Sequence, residues 1–166
     1  MTPEEIGERL TKSVGIVKGG MAETFLEWSR KFQPHTNEIF DWGGQDYFQD
    51  AGGDPTIFYF HGYWKLAEDE AWVIETEVPN CEYFNFVLQN FWVESLDYNR
   101  TNIYINNHTA KLNDDGTMTI VVAAKDPGYG NWIDTDSHAE GDMGAALDQG
   151  GLAPDPDVEG SQDLTR

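Results

Sequence analysis

Two histidines, His61 and His108, are the candidate acid–base groups of this chain. An imidazole can give or take a proton near neutral pH, or ligate a metal. His61 stands in the run Phe60-His61-Gly62-Tyr63-Trp64, and His108 in Asn106-Asn107-His108-Thr109. Asparagine is poor in strands, so this second run marks either a polar pocket or a bulge or strand end. Asn85, Gln89, Glu94, Asn107 and Trp132 are the candidate ligand-binding residues. In a catalytic site Asn85 and Asn107 would orient the substrate. Tyr63, Trp64, Trp92, Tyr98 and Tyr104 add flat apolar surface, so a sugar-like or other amphipathic molecule is the ligand class. The plainer reading of the same residues is a strand-end histidine with a satisfied hydrogen bond, among aromatics that fill a core.

Metal chemistry has weaker support. Asp134, Asp136 and His138, continuing to Glu140 and Asp142, alternate as in some calcium loops. The run lacks the glycine and glutamate that an EF-hand needs at its sixth and twelfth positions, which leaves a loose divalent site or a solvated acidic face. His61, His108 and His138 with Glu75 or Glu77 would supply imidazole and carboxylate ligands, but no His-x-His spacing brings them together. No cofactor is predicted. Glu75 and Glu77 share a strand face, roughly 6.5–7 Å apart by strand rise, a separation that glycoside hydrolysis could use. Exposed glutamates are the plainer reading. Ser95 has no G-x-S-x-G elbow around it, and no glycine-rich phosphate loop is present.

The elements that must position these residues change in character along the chain. Thr2-Pro3-Glu4-Glu5 reads as a capping box, opening a helix over residues 2–13. Gly19-Gly20 breaks the pattern. Met21, Phe25, Trp28 and Phe32 then form one apolar stripe, predicting a second helix that Pro34 ends. Residues 34–55 read as an irregular connection, pinned by Trp42, Tyr47 and Phe48. From Thr56 the period becomes two. Strands are expected at Thr56–His61, Trp64–Leu66, Ala71–Val78, Glu82–Trp92, Asn102–Ala110 and Thr117–Ala124. A hairpin at Pro79-Asn80-Cys81 would set Thr76 against Phe84, Ile74 against Phe86 and Trp72 against Leu88. Asn113-Asp114-Asp115-Gly116 reads as the next tight turn, joining the strands around Ile105 and Ile120.

Charge narrows the partners. The 166 residues carry 30 acidic against 10 Lys and Arg side chains, a net charge of −20. Such a chain repels nucleic-acid phosphates and anionic membranes, and no basic patch offsets this. Adaptation to salt is one reading of the acidity; an acidic surface of no special meaning is the other. The single cysteine, Cys81, excludes an internal disulfide. No signal peptide or membrane span is visible, so the cytoplasm is the default.

Residues 58–140 resemble the bacterial family called domain of unknown function 1214. Three pieces in order carry the resemblance: the aromatic strand Tyr83-Phe84-Asn85-Phe86-Val87-Leu88, the segment Asp115-Gly116-Thr117-Met118-Thr119-Ile120, and Asp126-Pro127-Gly128 followed by Asn131-Trp132. The family continues past this turn into a closing strand. Here Ile133 to His138 lead into an acidic stretch, so that strand looks missing or altered. Larger members carry a further N-terminal domain, replaced here by two helices. The resemblance implies a jelly-roll-like sandwich and no particular activity.

Together these readings predict a mainly β protein: an antiparallel, jelly-roll-like β-sandwich over 56–140, preceded by a helical segment over 1–33 and followed by a flexible acidic tail over 141–166. Two functions are open. One is a small-molecule pocket. The other is an assembly module, a homo-oligomer or partner complex, pairing through the sheet edge that a missing closing strand would expose.

Overall fold

The computed structural model describes residues 1–150. The capping box forms as the spacing predicts: the Glu5 amide donates to the Thr2 hydroxyl and the Thr2 amide to the Glu5 carboxylate. Helix α1 spans Pro3–Ile16. Gly19-Gly20 does not break it. The chain continues as a π-helical stretch, Val17–Phe25, and returns to α geometry in α2, Leu26–Phe32. Of the expected apolar stripe only Phe32 is buried, while Met21 stays 47% exposed.

The connection over 34–55 is more ordered than expected. It holds a 3₁₀ turn, Gln33–His35, a short strand β1, Glu38–Phe40, and a helix α3, Gly44–Asp50. The remaining strands are β2 Ile57–Lys65, β3 Ala71–Glu77, β4 Tyr83–Leu88, β5 Tyr104–Asn106, β6 Thr117–Ala123, β7 Trp132–Asp134 and β8 Glu140–Asp148. The two strands expected at Thr56–His61 and Trp64–Leu66 are one. Gly62 lies within it because a side chain there would meet the Glu38 carbonyl oxygen at 2.7 Å and the Trp72 ring at 3.2 Å.

The protein is mainly β, with two sheets and an N-terminal helical region. One sheet has the order β1-β2-β8-β4-β5, and the other β3-β6-β7. The hairpin expected at Pro79-Asn80-Cys81 is absent. β3 pairs with β6, whereas β4 pairs with β5 and β8. Alternation tells which residues point at the core, and it says nothing about which strand lies alongside. Trp72, Ile74, Phe84, Phe86 and Leu88 all enter one apolar cluster, contributed by both sheets. The Asn113–Gly116 turn forms, with the Gly116 amide donating to the Asn113 carbonyl at 3.0 Å. It too connects strands of different sheets.

The largest correction concerns the end of the β region. Residues 140–148, read as the start of a flexible tail, form the central strand of the larger sheet. β8 runs antiparallel to β2 on one side and β4 on the other, with His61 opposite Gly144 and Val87 opposite the same Gly144. A strand therefore follows where one looked missing or altered. The rest of the expected tail, 151–166, lies outside the described residues.

Candidate functional site

The face of the five-stranded sheet that points away from the core carries the polar residues. β2 contributes Tyr59, His61 and Tyr63; β8 contributes Asp142 and Gly144; β4 contributes Asn85 and Val87, with Gln89 just beyond. Helices cover one half of this face, and the other half is open.

Under the helices lies a buried polar cluster. Ser29, Tyr63 and Asp142 are all at most 1% exposed. The Ser29 hydroxyl is within hydrogen-bond reach of the Phe91 carbonyl, at 2.6 Å, and of the Asp142 carboxyl. One hydroxyl proton cannot serve both acceptors. A protonated Asp142 resolves this by donating to Ser29, which then donates to Phe91. Burial pushes the Asp142 carboxyl up to about 6, against the pull of the Ser29 hydrogen bond. Its second oxygen, Oδ1, has no partner. Burial also raises the Tyr63 phenol to about 12, although the Gln33 amide donates to it at 3.2 Å.

His61 belongs to this covered half. Its ring is stacked between Phe32 and Phe48, with centroids 4.8 and 5.1 Å away. Neither ring nitrogen has a hydrogen-bond partner, and burial pushes its pKa down to about 4. The imidazole is a neutral, partly buried ring at physiological pH, its two nitrogens covered. The expected satisfied hydrogen bond is absent among the described residues.

The open half is a groove of about 360 Å³ over β4 and β5. Tyr83, Asn85, Val87, Ser95, Tyr98, Ile103, Tyr104 and Asn106 line it. Cross-strand register sets Asn85 opposite Asn106 and Val87 opposite Tyr104. Asn85 Oδ1 is buried without a partner among the described residues, and so is Gln89 Oε1. The Asn106 amide donates to the Tyr83 hydroxyl at 3.4 Å. His108 sits at the rim, its ring 6.4 Å from that of Tyr83.

The Asn106–Thr109 run resolves as a strand end. Asn106 Oδ1 accepts from the amides of His108 and Thr109, closing a turn immediately after β5. Asn107 is exposed, and its amide donates to the Glu82 carbonyl at 3.1 Å. Glu94 accepts from the Asn90 amide at 2.9 Å, shaping the loop after β4. Trp132 is in the other sheet, its indole N–H donating to the Ala123 carbonyl at 2.9 Å. Of the expected ligand residues, therefore, only Asn85 lines the groove. Sequence reasoning missed Ser95 as a groove residue, and Ser29 and Asp142 as a buried pair. Asn106 stands in the run read as a polar pocket or a strand end, and it takes part in both; Tyr98 and Tyr104, read as flat surface for a ligand, line the groove.

The expected metal groups do not converge. Asp134 Oδ1 accepts from the Asp136 amide at 2.9 Å, and the His138 amide donates to the Thr135 carbonyl, so these residues build the turn before β8. His61, His108 and His138 lie at separate places, and Glu75 and Glu77 are on the exposed face of β3 in the other sheet. Among the described residues, no group of three or more His, Cys, Asp or Glu is placed to hold a metal ion. Among the same residues no helix is long and apolar enough to cross a membrane.

Fold and site define a mainly β, two-sheet protein with a helix-covered polar face and an adjoining open groove. Among solved structures the chain is similar to that of an uncharacterised protein from Burkholderia cenocepacia, with 41% sequence identity and a TM-score of 0.73 over 78% of this chain. It also matches a Vibrio parahaemolyticus protein at 19% identity and a TM-score of 0.48, over 64% of this chain. The chain spans about a third of the length of these two structures, 36% and 29%. No protein-family model matches the chain, and no curated protein does.

Proposed function

We propose that this protein binds a small, flat, amphipathic molecule of sugar-like chemistry in the groove over β4 and β5. The observation that carries this reading is the buried, unpartnered Asn85 Oδ1 in a groove with three tyrosines. A buried acceptor without a donor costs about 1–3 kcal/mol, and a ligand hydroxyl or N–H would recover it. Tyrosine rings offer apolar faces for a flat ligand, with hydroxyls at their ends. The reading is of a binding site without catalysis, since the most perturbed imidazole, His61, does not line the groove. The test is a thermal-shift and NMR screen of mono- and oligosaccharides, glycosides and aromatic alcohols against wild type, Asn85→Ala and Tyr98→Ala. A hit that raises Tm in wild type and in neither variant supports the site. A hit with full affinity for both variants refutes it.

The same proposal reads the chain as a relative of the domain of unknown function 1214, with a jelly-roll-like sandwich and β8 as its closing strand. The placement of the three motif pieces on β4, β6 and the turn before β7 supports this. Soluble and salt-adapted are further parts of the reading, resting on the net charge of −20; a cytoplasmic location is proposed with them and does not rest on the charge. A second reading, assembly through a free sheet edge, has the seven-residue β3 as its observation, paired on one side only among the described residues.

A further inference from the structure

From the exposed stripe on α1 and its charge layout we infer that two copies of this chain associate through antiparallel pairing of their N-terminal helices. No residue of α1 is buried, and it packs extensively only on the π-helical stretch that continues it. Ile6, Leu10, Val14, Val17 and Met21 recur at spacings of four, four, three and four. They share roughly a quarter of the helix circumference. All are between 44% and 65% exposed. Gly7, Gly15 and Gly19 weaken an isolated helix, and a side chain at any of them would meet nothing within 4 Å. Such a helix takes its stability from packing.

Charge selects a second copy as the occupant. The chain as a whole is at −20, so most of its surface repels another copy. Residues 4–18 are the exception, with Glu4, Glu5 and Glu8 balanced by Arg9, Lys12 and Lys18. The acids, at 4, 5 and 8, all precede the bases, at 9, 12 and 18. Parallel pairing would set like against like. Antiparallel pairing sets each half against its opposite and aligns the helix dipoles head to tail. Its register is readable: Ile6 falls beside Val17 of the second copy and Leu10 beside Val14. On one flank Glu4 meets Lys18, which in the single chain makes only a loose, exposed contact with Glu23 at 3.6 Å. Burying five such side chains from each copy removes on the order of 1,000 Å², the lower edge of a specific interface, so the dimer is weak and concentration-dependent.

The experiment is sedimentation equilibrium of the 166-residue chain from micromolar to millimolar, at low salt and in 1 M NaCl. The expected result is a monomer–dimer equilibrium strengthened by salt, because screening relieves repulsion between the acidic bodies. Leu10→Asp weakens it at least tenfold, with the thermal transition of the body unchanged because Leu10 touches no core. At low salt, Glu4→Lys and Lys18→Glu each weaken it severalfold, and the double exchange restores it. A monomer throughout overturns the inference. So does a dimer indifferent to Leu10→Asp, which would point to the β3 edge, and so does a double exchange that restores nothing.

Discussion

Asp142 and His61 should make the stability of this protein nearly independent of pH where both titrate, by opposing one another. Folding raises the Asp142 carboxyl from 3.8 to about 6, so the folded state holds its proton more tightly than the unfolded chain. The resulting penalty is complete above pH 6 and disappears as pH falls towards 4. Folding lowers His61 from 6.5 to about 4, so the folded state resists protonation there. That penalty is absent above pH 6.5 and grows as pH falls towards 4. Each shift of two units or more corresponds to about 3 kcal/mol. Their pH slopes therefore cancel between about pH 4.5 and 6. Asp142→Asn mimics the protonated acid, since its amide can donate to Ser29 while Ser29 donates to Phe91. It should stabilise the fold by up to about 3 kcal/mol at pH 7.5 and by little at pH 4. His61→Phe keeps the stack between Phe32 and Phe48 and removes two unpartnered nitrogens. Its gain over wild type should be largest at pH 4 and smallest above 6.5. Urea unfolding of the three proteins across pH 4–8, taken as differences from wild type, isolates these groups from the other carboxylates. If the Asp142→Asn difference is the same at pH 4.5 and 7.5, Asp142 is not the strained acid described here.

Three further outcomes follow from the packing and the charge. Gly141→Ala would drive its Cβ into the Gln89 carbonyl oxygen, just past the end of the β8–β4 pairing. We expect a loss of more than about 2 kcal/mol in urea unfolding, and a small change would show that the two strands can separate. Asn131→Ala removes a side chain that bonds the Lys111 amide and carbonyl at 2.7 Å each and the Thr119 carbonyl at 2.9 Å. Stranding these groups should cost about 3 kcal/mol, and a Tm within two degrees of wild type, about 0.5 kcal/mol, would refute it. With 30 acidic side chains against 10 basic ones, Tm should rise by several degrees between 0.05 and 1 M NaCl. A flat response would mean that the acidic surface is not self-repelling.

The strands with strong period-two patterns were legible: β3 and β4 have the inward faces that alternation gives them, and β6 stands close to its expected place but is buried on both faces. Their partners were not legible, because a hairpin and two facing sheets demand the same apolar positions. β8 was missed for a different reason. Its sequence, Glu-Gly-Asp-Met-Gly-Ala-Ala-Leu-Asp, has low strand propensity and three acids. It is a strand because β2 and β4 pair with its backbone on either side. Gly141 is held to glycine by Trp64 and the Gln89 carbonyl, which stand where a side chain would go. The paired glycines at 19 and 20 misled in the opposite direction, since the helix absorbs them by widening to π geometry. Asn85 was legible as a polar residue in an aromatic strand. The Ser29–Asp142 contact was not, because it joins residues 113 apart.

The place of β8 also sets an order of events. β2 and β4 bond to nothing in common until residues 140–148 arrive, so the larger sheet has a gap at its centre for most of synthesis. On the ribosome β2 waits for a partner some eighty residues downstream, with one long side of its backbone unpaired. Pairings this distant in sequence form slowly and late. During that interval the nascent chain presents two strand edges, those of β2 and β4, that any other strand could occupy. The acidic residues at 140, 142 and 148 travel on the very segment that must enter the gap, and they make that segment a poor strand for anything except this site.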